Sequence, residues 1–120
     1  LKKELKMKVN DIAGMIDGRM LTSIPENNEV NGGYTSDLLS DVMGNASEGN
    51  VLITIQGHKN TVAVANLVGM PAIILCNGRE APGEMIRLAE QEQIAVIATK
   101  LNQFITSCRI GSALEKESEN

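Results

Sequence analysis

Three short apolar runs, separated by helix-compatible segments, constrain this chain more than any other feature. Val51-Leu52-Ile53-Thr54-Ile55-Gln56 stops at Gly57, Ala72-Ile73-Ile74-Leu75-Cys76 stops at Asn77-Gly78, and Ala95-Val96-Ile97-Ala98-Thr99 forms the third. Continuous β-branched runs of this length read as strands buried on both faces. Thr61 to Val68 is helix-compatible, with Asn60 as its candidate cap, Gly69 as its stop and Pro71 barring continuation. Pro82 and Gly83 precede a helix expected over 84–92, whose Met85, Ile86, Leu88 and Ala89 share one stripe. A last helix is expected from Asn102 to Ile110, ended by Gly111. Strands alternating with helices through short loops predict parallel pairing with right-handed crossovers. The expected fold is α/β, a three-layer α/β/α arrangement with a mainly parallel central sheet.

The first fifty residues are less regular. Asn10 or Asp11 can cap a short helix through Met15, Arg19 to Thr22 reads as a strand, and Ser36 can cap a helix from Asp37 to Met43. Residues 25–33 read as a polar loop. So few large apolar groups would make a poor independent core, so this segment is expected to elaborate the same sheet. Residues 7–114 are therefore read as one domain. Residues 1–6 are expected to be an N-terminal extension, with Met7 a candidate initiator, and 115–120 an acidic tail.

Composition narrows the chemistry. The 120 residues carry 11 basic and 15 acidic side chains, a formal charge of −4, and Tyr34 and Phe104 are the only aromatics. A nucleic-acid binder normally offers a basic face and rings for stacking, so no nucleic-acid partner is expected. One histidine, His58, and two distant cysteines, Cys76 and Cys108, make a multi-ligand metal site or a paired-cysteine motif hard to assemble. No metal and no cofactor are expected. The chain has no apolar run long enough to span a bilayer and no recognisable secretory signal, which leads us to expect a cytoplasmic protein with two free thiols and no membrane partner.

In open α/β sheets, ligands bind beyond the carboxyl ends of the strands. The three loops at that edge are Gly57-His58-Lys59-Asn60, Asn77-Gly78-Arg79-Glu80 and, after Thr99, Lys100-Leu101-Asn102. Each brings a cation and leads toward a helix N-terminus with unpaired N–H groups. The candidate site for an anion therefore comprises Gly57, His58, Lys59, Asn60, Asn77, Gly78, Arg79, Thr99 and Asn102. A phosphate, a nucleotide phosphate or an acidic segment of a partner protein fits that charge. Polar loops on any α/β domain contain Lys and Arg, so the bland reading, ordinary solvated loops, stays open beside it.

Catalytic chemistry has little support. No Gly-x-x-x-x-Gly-Lys-Ser/Thr loop and no Gly-x-Gly-x-x-Gly turn occurs. His58 has no recognisable nucleophile and orienting acid, and Cys76 at the end of a buried strand is most simply a core residue. Asp37 and Asp41, four apart on an expected helix, can hold a cation or simply form a solvated face. No catalytic residue is assigned. The helix 61–68 is apolar almost all round, which predicts either a symmetric homodimer through its outer face or burial by the chain's own N-terminal segment.

The order Lys8-Val9-Asn10-Asp11-Ile12-Ala13, Gly33-Tyr34-Thr35-Ser36-Asp37-Leu38-Leu39-Ser40-Asp41-Val42-Met43, Ile53-Thr54-Ile55-Gln56-Gly57-His58-Lys59-Asn60 and Ala72-Ile73-Ile74-Leu75 resembles the DRTGG domain family over about Met7 to Leu114. The Asp-Arg and Thr-Gly-Gly elements that name the family read His58-Lys59 and Cys76-Asn77-Gly78 here, so the basic character and one glycine persist while the acidic residue and one glycine do not. The resemblance implies a MurF/HPr-kinase N-domain-like fold, similar to the non-catalytic N-terminal domain of HPr kinase/phosphorylase. It also implies a regulatory or accessory role with self-association, and no kinase activity. The expectation is a non-catalytic homodimeric module sensing a small anion, with a small phosphate-handling enzyme or a ligand-free adaptor as alternatives.

Overall fold

The structure, a computed structural model, describes residues 6–24 and 28–119, with side chains through 115. The three apolar runs are strands β5 (Asn50–Thr54), β6 (Ala72–Leu75) and β7 (Ala95–Ala98). Helices α3 (Lys59–Val68) and α4 (Gly83–Gln91) form the crossovers between them. Parallel pairing places Leu52, Ile73 and Val96 side by side, so one row of side chains crosses the sheet on each face. Gly69 ends α3 as expected, in the left-handed region at φ 89°, with its N–H donating to the Ala65 carbonyl.

The N-terminal segment completes the same sheet. Strand β4 (Gly32–Thr35) pairs parallel to β5, and α2 (Leu39–Asn45) crosses to it. On the opposite edge β2 (Arg19–Met20) pairs antiparallel to β7, giving the strand order β2-β7-β6-β5-β4. A separate antiparallel ribbon joins β1 (Met7–Lys8) to β3 (Glu29–Val30). Between them, α1 (Val9–Met15) packs beside α5 (Gln103–Glu119).

Three layers result. On one face Leu52, Ile73, Leu75 and Val96 meet Val42 of α2, Val62 and Ala65 of α3, and Met85 and Ala89 of α4. On the other, Val51, Ile53, Ile74 and Ile97 meet Val9 and Ile12 of α1 and Ile110 and Leu114 of α5. Burying a strand on both faces requires apolar residues at every position, which is why β6 reads Ala-Ile-Ile-Leu without alternation.

Several local expectations are corrected. The polar stretch 25–33 contains β3 and the start of β4; its residues 25–27 lie outside the described residues. The glycines of β4 hide a strand that is specified by its partner β5 and not by its own propensity. Helix α2 begins two residues late because the Asp37 carboxylate turns away from it, and Ser36 Oγ accepts the Leu38 N–H at 3.2 Å instead of capping a helix that starts at Asp37. Helix α1 follows Lys8 without a side-chain cap, so neither Asn10 nor Asp11 caps it. The strand expected over Arg19 to Thr22 is paired as a strand only at Arg19–Met20, after which the Thr22 hydroxyl accepts the Val96 N–H at 3.0 Å.

Gly111 does not end the last helix. Thr106, Ile110 and Leu114 recur every fourth residue and are all buried, so docking on the sheet outweighs the roughly 1 kcal/mol that a mid-helix glycine costs. A Cβ at Gly111 meets nothing within 4 Å. Gly111→Ala is therefore expected to raise the unfolding free energy by about 0.5–1 kcal/mol in urea titrations. A loss of stability would show that the helix is not continuous there.

Candidate functional site

All four parallel strands end at one edge of the sheet, and their following loops form it. The loops after β5 and β6 touch directly: a Cβ at Gly57 would lie 2.6 Å from the Glu80 carbonyl oxygen, so only glycine permits that approach. The loop after β6 is tied to the loop after β7. The Asn77 N–H donates to the Leu101 carbonyl at 2.9 Å and the Gly78 N–H to the Thr99 carbonyl at 3.0 Å. Asn77 and Gly78 hold successive positive φ angles, 61° and 67°, as a tight turn of this kind requires.

Two of the helix N-termini at this edge, those of α3 and α5, are capped by the chain's own side chains. His58, not Asn60, is the N-cap of α3, its Nδ1 accepting the Asn60 N–H at 3.0 Å. Asn102 Oδ1 accepts the Ile105 N–H at 2.9 Å at the start of α5. At α4 the acidic Glu84 stands in the first turn and pairs with Lys59 at 3.7 Å across exposed surface. Thr99 is buried, donating to the Ile16 carbonyl at 2.7 Å and accepting the Leu101 N–H at 3.2 Å. Of the nine residues read from sequence, His58, Lys59, Asn60, Asn77, Gly78, Arg79 and Asn102 are exposed at the edge, Gly57 is half-buried between loops and Thr99 faces inward.

Sequence reading missed the loop after β4. Asp37 Oδ1 accepts three hydrogen bonds, each 2.9 Å long, from Thr54 Oγ1, the Ile55 N–H and Gln103 Nε2. Its carbonyl accepts Gln56 Nε2 at 3.0 Å. Asp37 thus binds together the ends of β4 and β5 and the start of α5, and it lies before α2, so it does not share a helix face with Asp41. Asp41 is likewise engaged, accepting both the Tyr34 hydroxyl and Asn45 Nδ2. The Ser36 hydroxyl, then Tyr34 and Asn45, hold the Asp41 carboxyl below its ordinary value, and the same bond to Asp41 raises the Tyr34 phenol. Tyr34 is thereby held against α2. Among the described residues no group of three or more His, Cys, Asp or Glu side chains converges as a metal site would require.

Neither cysteine has the setting of a nucleophile. Cys76 is buried, and removal from water pushes its thiol pKa up, partly offset by the bond to Thr106 Oγ1 at 3.6 Å. Because that pKa is raised by folding, its contribution to stability holds at neutral pH and is lost as pH climbs past the ordinary thiol value. Cys108 is exposed on α5. Iodoacetamide is expected to label Cys108 in the native protein and Cys76 only after unfolding, read by mass spectrometry of the peptides. Rapid native labelling at Cys76 would contradict the buried thiol.

The capping role of His58 separates it from acid–base chemistry by mutation. His58→Ala is expected to cost about 1 kcal/mol in chemical denaturation, and His58→Asp, which also accepts at the N-cap, to restore most of it. Equal stability of the Ala variant would remove the cap.

The family model for the DRTGG domain matches residues 11–113. No curated protein sequence matches the chain. Among solved structures, the fold is similar to the regulatory region of Clostridium perfringens pyrophosphatase, which comprises CBS and DRTGG domains in complex with its activator diadenosine tetraphosphate. The TM-score is 0.72 at 19% sequence identity. The likeness covers 85% of this chain and 45% of that one, so this chain spans less than half of the regulatory region. With a family model over nearly its whole length and the same arrangement of strands and helices, the chain belongs to the DRTGG domain family.

Proposed function

We propose that this chain is a non-catalytic, homodimeric module that senses a small anion, phosphate- or nucleotide-containing, at the loops after its parallel strands. As a DRTGG domain it is a regulatory module. The observation that carries the ligand reading is the convergence of Lys59, Arg79 and Lys100, one from each loop, on one edge of an otherwise acidic protein. The activator of the pyrophosphatase region is itself a polyphosphate. With the N-termini of α3 and α5 capped by His58 and Asn102, recognition rests mainly on these side chains, with the exposed residues 58–60 and 77–79 as the contact set and Gly57, Thr99 and Asn102 shaping the loops.

Dimerisation is proposed through the outer face of α3. The sheet and its neighbours α2 and α4 account for its buried residues, leaving Ala63, Asn66 and Leu67 outward, with Leu67 73% exposed. We read 7–114 as one domain and place the protein in the cytoplasm, where its free thiols stay reduced. Among the described residues no helix is long and apolar enough to cross a membrane. We extend the likeness to the N-terminal domain of HPr kinase/phosphorylase on the order of motifs alone.

A second reading, a ligand-free adaptor, is favoured by Leu38 and Phe104, which are 64% and 73% exposed beside Asp37 and Gln103 at the same edge. The enzyme alternative is disfavoured by the capped His58 and the buried Cys76. Native mass spectrometry of the purified protein tests all three: a dimer retaining a small anion is expected. A monomer mass removes the dimer, and a bare chain that takes up none of a panel of phosphorylated metabolites selects the adaptor. Turnover of any of them establishes an enzyme.

A further inference from the structure

Helices α2, α3 and α4 cover one face of the sheet over β4 to β7, and β2 extends the sheet one strand further. No crossover helix follows onto it. Met20 of β2 packs toward the α1 and α5 layer, so Arg19 and Leu21 alternate to the opposite face, beside α4. There they line a cleft of about 310 Å³ together with Arg79, Glu80, Ala81 and Ile86. Beyond Leu21, the Ser23 N–H donates to Glu90 Oε2 of α4 at 2.9 Å and ties the chain leaving β2 to that helix.

This cleft brings two arginines and one carboxylate, Glu80, to the same space. Two cations elsewhere are engaged: Arg109 with the Met15 carbonyl and Asp17, Lys59 with Glu84. Among the described residues, neither the Arg19 nor the Arg79 side chain makes a hydrogen bond or ion pair, although both line the same small space. Glu80 lines the same cleft without an ion pair to either guanidinium, so both planar forks are left to match phosphate oxygens. Leu21, Ala81 and Ile86 supply an apolar wall, and the volume is at the small end of the range that holds organic ligands.

We propose that this cleft is the anion subsite, taking the phosphate of a small organic phosphate on Arg19 and Arg79 and its apolar or ring body on Leu21, Ala81 and Ile86. The proposal rests on the sensing role above and adds Arg19, which lies outside the three loops. Phenyl phosphate is a suitable probe, because it carries both parts and nothing else.

Titrating the full chain with phenyl phosphate, followed by two-dimensional amide NMR, is expected to shift residues 19–21, 79–81 and 86. Inorganic phosphate is expected to bind more weakly at the same arginines. Arg19→Gln and Arg79→Gln, both exposed positions, are each expected to weaken phenyl phosphate by about tenfold or more, with the amide spectrum otherwise native. Shifts confined to 57–60, or unchanged affinity in Arg19→Gln, overturn the cleft and leave sensing at the loops intact. Equal affinity for inorganic phosphate removes the apolar part of the site. No shift with either probe overturns both the cleft and the sensing role.

Discussion

A parallel sheet has no face it can leave to water, and that constraint organises this molecule. Three right-handed crossovers necessarily place α2, α3 and α4 on the same side of β4 to β7, because the strands follow one another in order across the sheet. The other side must then be covered by elements outside the crossovers. Helix α1 and helix α5 do this, and the Thr35 and Ser107 hydroxyls, 2.7 Å apart, join α5 to the edge strand β4. The extra strand β2 escapes the crossover pattern, so its α4-facing side remains open.

The carboxyl edge of the sheet is held by polar contacts that converge on Asp37. One carboxylate oxygen gathers donors from β5, from the residue after it and from α5, so three elements share a single acceptor. Such a network leaves few backbone groups unspent. Backbone N–H groups at the starts of α3 and α5 are committed to His58 and Asn102, and those of Asn77 and Gly78 to the neighbouring loop.

The second half of the chain was legible because its strands are buried on both faces and announce themselves as unbroken apolar runs. The crossover helices, the stop at Gly69 and the placement of the three loops followed from that pattern. The first half was less legible for a physical reason. Strand β4 contains Gly32 and Gly33 and takes its conformation from β5, and Ser36-Asp37 looks like a helix start until Asp37 is drawn to Thr54 and Gln103. Helix α5 passes Gly111 because Ile110 and Leu114 dock on a surface that local propensity does not register. At the candidate site, residue type and loop position pointed to charge, but only the fold tells that Thr99 faces inward and that Arg19 joins Arg79 in one cleft.

The contact between α5 and β4 also bears on the order in which the domain forms. Strand β4 emerges from the ribosome well before α5, with the whole βαβ series between them. Until α5 arrives, Val51, Ile53 and Ile74 lack the cover of Ile110 and Leu114. The nascent sheet thus carries a sticky face until α5 has been made, and a chain cut short before α5 would be a substrate for chaperones and proteases rather than a smaller working domain.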